Sequence, residues 1–433
     1  MKIHLRTFGC TYNQADSDGL SLMLQKAGHD LVDEASAELV VLNTCSVKDA
    51  TEQKQLYRIK NESRPLVVTG CLAQAAPSKI QKANPRASLV GTFAQGRISE
   101  AVSAAASKKP LAFLDWSAPL QNAARADGAI GRLKISKGCL SACTFCSTKH
   151  ARGHLESFSI SELRKLCRDL LRQGALEIQL ASQDCGCFGF EEGKTLVALL
   201  EALCSIEGDF RIRVGMGNPE HFKQYFPSLL AAFEHPKVYK FFHLPVQSGS
   251  DDVLVHMKRP YSASDFSELA FQFRKRFQNG ILATDVIVGY PTETEEDFQK
   301  TLNLLSLTRP DMVNVSRFSP RPNTPAARLD QLPFSVINQR SQIVSALCEG
   351  ITLKNNARFV GKTLAVRAIE PAASRDLILC RSDDYRPVLL PDAQIGSWHD
   401  VRIESFGRGY LSSEPQRRPI PLTVYPELHA TLS

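Results

Sequence analysis

Arg132-Leu-Lys-Ile-Ser136, followed closely by Cys139-Leu-Ser-Ala-Cys143-Thr-Phe-Cys146, is the stretch that decides how this chain reads. The first five residues alternate as a β-strand does. The three cysteines then fall close enough together for their thiolates to wrap one compact inorganic cluster. Three ligands on a four-iron cluster leave one iron open, and an open iron can chelate a substrate or cofactor. Tetrahedral zinc generally takes four ligands, often as paired Cys-x2-Cys hooks, and no second hook lies nearby. An iron–sulfur cluster is therefore expected here, with zinc or structural thiols as the alternatives. Phe145, just before the last cysteine, is expected either to shield the cluster or to belong to the core.

Strand and helix patterns continue outward from this stretch. Strands are expected at 132–136, 176–181, 210–215, 240–244, 282–288 and 312–317, with helical patterns such as 159–173, 195–205, 262–277 and 295–307 between them. Six β/α units suggest a partial barrel, short of the eight of a complete one. The cysteine loop then sits at the C-terminal mouth, where barrel chemistry is found. Polar residues near the ends of the other strands are expected to point to the same mouth: Gln183, Asp184, Arg213, Asn218, His243, Gln247, Ser248, Asp285 and Arg317. Each is a candidate ligand-binding group, and Arg213 or Asp285 could equally be one half of a buried ion pair. Cys185 and Cys187 follow the second strand and could face the site, whereas Cys167, Cys204 and Cys348 lie in apolar helical patterns and read as core.

Towards the N-terminus, strands at 2–8, 39–43, 65–69 and 88–91 alternate with helices at 14–27, 48–61 and 75–83, which implies a doubly wound parallel sheet. Cys10, Cys45 and Cys71 each follow one of these strands, in Thr-Phe-Gly-Cys, Leu-Asn-Thr-Cys and Val-Thr-Gly-Cys. Ligands of open α/β sheets gather at the carboxyl edge, so three cysteines distant in sequence converge. Gly9 and Gly70 suit a backbone that approaches something closely. A second three-cysteine cluster and three inert buried thiols both remain open on pattern alone. Residues 101–129 read as a helix end and an alanine-rich linker. Beyond a helix at 335–355, short β runs at 363–369, 377–381, 387–390 and 399–405 imply a small all-β barrel.

With 433 residues the chain has room for two or three cores. The twelve cysteines, in a long chain without a secretion signal, point to metal or redox chemistry in a reducing compartment rather than to disulfides. No apolar run is long enough to cross a bilayer, and a soluble, cytoplasmic protein is expected. The net charge of +7 permits a polyanionic partner without requiring one.

Taken together, the dispersed cysteines, the Cys-x3-Cys-x2-Cys loop and the C-terminal β segment resemble the methylthiotransferase family of radical-SAM enzymes over essentially the whole chain. The segments Ser147-Thr-Lys-His-Ala-Arg-Gly153, Arg213-Val-Gly-Met-Gly-Asn-Pro219, His243-Leu-Pro-Val-Gln-Ser248, Met257-Lys-Arg259 and Phe318-Ser-Pro-Arg-Pro-Asn-Thr-Pro-Ala326 resemble its archaeal and eukaryotic branch, which acts on threonylcarbamoyladenosine in tRNA. Lys149-His150 stands where the other branches usually carry a Pro-containing segment. Two stretches depart from the family pattern: Gly289-Tyr-Pro-Thr-Glu293 has Thr292 for a glycine, and Ser182-Gln-Asp-Cys-Gly-Cys-Phe-Gly189 has Gln183 where Glu is usual.

The resemblance implies an α/β chain of three parts: an N-terminal doubly wound domain (1–128), a central partial (β/α)6 radical-SAM barrel (129–357) and a C-terminal TRAM-like β-barrel (358–433). It implies two [4Fe-4S] clusters, one on Cys139, Cys143 and Cys146 and one on Cys10, Cys45 and Cys71. S-adenosylmethionine (SAM) is expected against Gln183, Asp184, Arg213, Gln247, Ser248, Asp285 and Arg317. The partners implied are the tRNA anticodon stem-loop, an electron donor and a sulfur source, with the protein itself a monomer. The alternatives are the same chemistry on isopentenyladenosine or on a ribosomal-protein side chain, and a non-catalytic iron–sulfur protein. Arg381, Tyr385 and Arg386 resemble the family's RNA-contacting hairpin, although residues 359–419 hold nine Lys/Arg against eight Asp/Glu and so form no general basic surface.

Overall fold

Leu39-Val-Val-Leu and Leu66-Val-Val are continuous apolar runs rather than alternating ones, which is the mark of strands covered on both faces. In the computed structural model, which describes residues 1–119, 121–373 and 376–414, they are the central strands Leu39–Thr44 and Leu66–Gly70 of a six-stranded parallel sheet. Lys2–Thr7 and Asp30–Leu31 extend it on one side, Ser88–Val90 and Ala112–Phe113 on the other. Helices Thr11–Lys26 and Ile98–Ala106 cover one face through Leu20, Leu24, Ile98 and Val102 on Val41 and Val67. The opposite face packs Ile59, Leu72 and Ile80 on Val40, Leu42 and Val68. Thr44 is level with Gly70, so Cys45 and Cys71 leave the sheet side by side.

Two expectations change here. The helix expected at 75–83 begins two residues later, as Pro77–Ala83, and a separate short helix, Cys71–Ala75, precedes it. Pro77 has no N–H to continue the short helix and instead starts the longer one. The linker expected over 101–129 contributes two short strands: Ala112–Phe113 at the sheet edge and Ala126–Asp127, antiparallel to Ile130–Lys134.

Six parallel strands follow: Ile130–Lys134, Glu177–Ala181, Arg211–Arg213, Phe241–His243, Ile281–Val288 and Met312–Arg317. Each neighbours the next in chain order, with the Ile212–Val238 bridge joining the third to the approach of the fourth. Leu133, Leu180, Ile212, Phe242, Leu282 and Val315 belong to one continuous core with the intervening helices. Capping boxes at Ser262/Asp265 and Thr294/Asp297 fix the starts of helices Ala263–Arg276 and Glu295–Thr308.

Helix Phe334–Ala357 leads into strands Thr363–Pro371, Leu377–Ser382, Pro387–Pro391, Trp398–Arg402, Ser405–Phe406 and Leu411–Ser412, one mainly antiparallel sheet around Phe359, Val366, Cys380, Val388 and Ile403. This sheet docks at the amino ends of the central strands. Tyr385 Oη meets Glu177 Oε1 at 3.3 Å, Arg386 meets Asp311 at 2.9 Å and Arg367 donates to the Asp209 carbonyl at 2.9 Å. The cysteine loops occupy the carboxyl ends, on the opposite side.

Candidate functional site

At the N-terminal edge, two glycines let the strand-end loops close on each other. Gly9 (φ +101°) would drive a Cβ to 2.7 Å from Cys45 Cβ, and Gly70 (φ +91°) would drive one into Thr44 and Asn43. Asn13 then ties the loops together. Its amide donates to Phe8 O at 2.9 Å and Thr44 O at 2.8 Å, and its Oδ1 accepts from Cys71 Sγ at 3.6 Å. Cys45 and Cys71 are buried and Cys10 is exposed. Burial pushes the Cys45 thiol up to about 12, and the neighbouring Cys71 and Cys10 push the same way. All twelve cysteines are free of disulfides. Three thiols whose negative charges would oppose one another at one edge fit a cationic centre that neutralises them together, and loading such a centre releases protons.

The second set is Cys139, Cys143 and Cys146, held on a loop stitched to its surroundings. Lys149 Nζ caps the loop from outside, donating to the carbonyls of Cys139 (2.5 Å), Leu140 (3.4 Å) and Ser141 (3.2 Å). One ammonium gathering three successive carbonyls holds the first turn of the loop in a fixed shape. Thr144 Oγ1 bonds Tyr290 Oη at 2.8 Å and the His256 carbonyl at 2.9 Å. Phe145 packs with Tyr290, Phe318 and Met257, so it belongs to the core. Arg259, itself buried, donates to Cys143 Sγ at 3.1 Å, to Asn218 Oδ1 at 2.5 Å and to Tyr261 Oη at 3.0 Å. Burial raises the Cys139 thiol to about 12, aided by the Asp184 carboxylate; burial also raises Cys143, but Arg259 works against it.

The polar strand-end residues separate into groups. Gln183 Oε1 accepts the Gly138 N–H at 2.7 Å and so fixes the base of the cysteine loop. Asp285, inside the series of strands, accepts from His243 Nε2 at 2.9 Å and Asn314 Nδ2 at 2.8 Å. Burial works to raise its carboxyl, yet His243 and Asn314 hold it below the usual carboxylate range. Gln247 adopts φ +68° and lies beside Val286. Arg317 is exposed at the rim, bonded to Asn338 at 3.0 Å, with its guanidinium 5.6 Å from the Phe334 ring.

Besides Gln183, three more of the residues expected at SAM are engaged away from the mouth. Asp184 accepts from Gly186 N, Asn218 N, Asn218 Nδ2 and His221 Nδ1, the last at 2.7 Å, which saturates its carboxylate. Arg213 is level with Gln179, two residues short of its neighbour's end, and lies over the Phe241 and Tyr385 rings below the mouth. Ser248 is buried, facing Thr301 Oγ1 and accepting from Ser250 N. Cys185 and Cys187 are likewise buried, their thiols turned to the Leu180 and Asp184 carbonyls.

The loops that carry the two cysteine sets touch where the N-terminal sheet faces the central strands. Ser46 and Ser147, the residues directly after Cys45 and Cys146, have their hydroxyls 3.5 Å apart. Arg152, on the helix Thr148–Arg152 that follows Cys146, reaches into the N-terminal edge and donates to Cys71 Sγ at 3.3 Å. Arg321 crosses the same junction, to Glu52 at 2.7 Å and the Val47 carbonyl at 2.8 Å. Arg152, Arg259 and Arg321, which reach the two cysteine sets or the junction between them, are not among the residues expected from the sequence. All three lie inside segments that resemble the family, 147–153, 257–259 and 318–326, and that resemblance is the signal that points to them.

The hairpin expected to contact RNA is corrected. Arg381, Tyr385 and Arg386 are only 2, 2 and 3% exposed. Tyr385 packs with tilted rings against Tyr239 and Phe241, centroids 4.9 and 5.0 Å away, and Arg386 is spent on Asp311, Asn356 and the Asn279 carbonyl. They fasten the C-terminal sheet to the central strands.

Residues 2–91 match Uncharacterized protein family UPF0004 and residues 133–305 match the radical SAM superfamily. The probable threonylcarbamoyladenosine tRNA methylthiotransferase of Pyrococcus abyssi is 38% identical, covering 96% of this chain and 99% of its own length. That of Pyrococcus horikoshii is 36% identical with the same coverage. The Homo sapiens threonylcarbamoyladenosine tRNA methylthiotransferase is 32% identical, covering 96% of this chain and 74% of the human one. Among solved structures, the radical S-adenosylmethionine methyltransferase TsrM from Kitasatospora setae aligns with a TM-score of 0.55 over 75% of this chain and 77% of its own, at 13% identity, a likeness of fold alone. With relatives this similar over nearly their full lengths, the chain belongs to the threonylcarbamoyladenosine tRNA methylthiotransferase family of radical-SAM proteins.

Proposed function

We propose that this protein converts threonylcarbamoyladenosine next to the tRNA anticodon, at position 37, to its 2-methylthio derivative. The observation that carries the proposal is the contact between the two cysteine-bearing loops, with Ser46 and Ser147, next to Cys45 and Cys146, 3.5 Å apart. A sulfur insertion that needs both a radical source and a sulfur-bearing centre requires two such sites facing each other. Support comes from free, clustered thiols at both edges and from relatives named for this activity.

In this reading Cys139, Cys143 and Cys146 hold one [4Fe-4S] cluster and Cys10, Cys45 and Cys71 a second. When bound, these clusters and SAM supply the radical and sulfur chemistry that protein side chains lack. The chain's own residues do the placing. Lys149 and Gln183 fix the first loop, Asn13 and Gln55 the second, the latter by accepting the Cys45 N–H at 2.9 Å. Gln247, Asp285 and Arg317 are the side chains assigned to SAM. Asp184, Arg213 and Ser248 support the mouth from behind.

The chain divides in this reading into 1–128, a partial barrel over 129–357 and a TRAM-like barrel from 358, acting as a monomer in the cytoplasm with an electron donor and a sulfur source. Among the described residues no helix is long and apolar enough to cross a membrane. The test is nucleoside mass spectrometry on tRNA from a strain lacking the activity. Wild-type protein should yield the 2-methylthio nucleoside, and a Cys139→Ala variant should leave only the threonylcarbamoyl precursor. Identical nucleosides in both strains would refute the proposal.

A further inference from the structure

We infer that Arg152 is a positioning residue for the N-terminal cluster: a guanidinium supplied by the radical-SAM part of the chain that bonds one ligand sulfur and makes that cluster easier to reduce. The inference rests on the two-cluster reading above. Arg152 is buried, with Nε 3.3 Å from Cys71 Sγ, Nη1 2.6 Å from Asp16 Oδ2 and Nη2 2.7 Å from Asn13 Oδ1, and its guanidinium lies 4.7 Å from the Tyr12 ring centre.

The local charge balance explains why a sulfur belongs in this set. Asp16 is shared, because Lys134 Nζ bonds its other oxygen at 3.1 Å. The side chains of Asp16, Lys134 and Arg152 are 2, 4 and 5% exposed, so two cations face one carboxylate away from water. A buried charge without a counter-charge is costly. The remaining bonded neighbour able to supply a negative charge is Cys71, as a thiolate ligand. Adding an electron to a cluster makes it more negative, so a cation and an N–H directed at one of its sulfurs stabilise the reduced form more than the oxidised one. Arg152 also stands six residues after Cys146, at the end of the short helix that follows it, so one segment shapes both sites.

The test uses full-length protein loaded with iron and sulfide without oxygen. A Cys139→Ala/Cys143→Ala/Cys146→Ala background isolates the N-terminal cluster. Into it are placed Arg152→Gln and Arg152→Lys, and each protein is titrated with reductant while electron paramagnetic resonance follows the reduced cluster. Arg152→Gln should lower the reduced-to-oxidised ratio of the cluster about tenfold at a fixed potential, equivalent to a downward shift of about 59 mV for one electron. Arg152→Lys, which keeps the charge but loses the fork, should fall between Gln and Arg. Unchanged potentials with iron retained would overturn the inference. If Arg152→Gln loses its iron while circular dichroism shows a folded chain, the potential of Arg152→Lys decides, and no shift there overturns it too. Absence of iron from the background protein with Arg152 intact would instead refute the second cluster itself.

Discussion

Replacing Arg386 by Met separates two readings of the C-terminal hairpin. Arg386 Nη2 bonds Asp311 Oδ1 at 2.9 Å and the Asn279 carbonyl at 3.1 Å, and both side chains of the ion pair are 3% exposed. Removing one partner of a buried pair costs roughly 3–5 kcal/mol. Asp311 keeps Arg274 at 2.8 Å, so the lower end applies, about 3 kcal/mol. In a unit of about 150–250 residues each kcal/mol lowers Tm by ~2–4 °C, which gives a shift of roughly 6–12 °C. The assay is thermal unfolding followed by limited proteolysis at the hairpin, alongside tRNA binding at several salt concentrations. The structure predicts an early transition, cleavage near residue 386, and an unchanged salt slope under conditions where the variant is folded. An RNA-contacting arginine would instead leave stability within about 0.5 kcal/mol and lower the salt slope by about one. That second pattern would refute the docking role.

Gly70→Ala, at φ +91° with its Cβ driven into the Thr44 backbone, should lower stability by about 1–3 kcal/mol in urea unfolding and reduce iron retained at the N-terminal cysteines; normal stability would contradict the close approach. Lys149→Met should loosen the Cys139 loop and cut iron at that site with little change in Tm, whereas full iron content would show that the three carbonyl contacts are dispensable. His221 predicts a pH dependence. Burial works to lower its pKa, but the bonded Asp184 carboxylate overcomes burial and the net shift is upward. A raised folded-state pKa contributes stability below the unfolded value, about 6.5, and loses it as pH rises through the folded one. The gap in urea midpoint between wild type and His221→Gln should therefore be wider at pH 6 than at pH 9, and a gap that does not vary with pH would contradict the ion pair.

Strand positions were legible because the physics that sets them is local. Leu39-Val-Val-Leu and the run expected at 282–288 read as buried strands from apolar, β-branched composition alone, and the observed Leu39–Thr44 and Ile281–Val288 fall within a residue of expectation. The parallel order follows from strand–helix alternation, and it carries the cysteines to shared edges. Long-range partners were not legible. Nothing near Arg152 in sequence reveals that Asp16 and Cys71 await it, and nothing in Asp-Asp-Tyr-Arg reveals that Glu177 and Asp311 will bury Tyr385 and Arg386. The same limit explains Asp184 and Arg213. A polar residue near a strand end can turn into the mouth or away from it, and only the partners His221, Asn218 and Tyr385 decide which.

The most direct test of the two-site account is iron and sulfide content on protein purified without oxygen, comparing wild type with a Cys10→Ala/Cys45→Ala/Cys71→Ala variant. The account predicts about eight irons per chain falling to about four, with three thiolates serving each four-iron cluster. About four irons in both proteins would contradict it, leaving the N-terminal cysteines structural and a single cluster at the mouth.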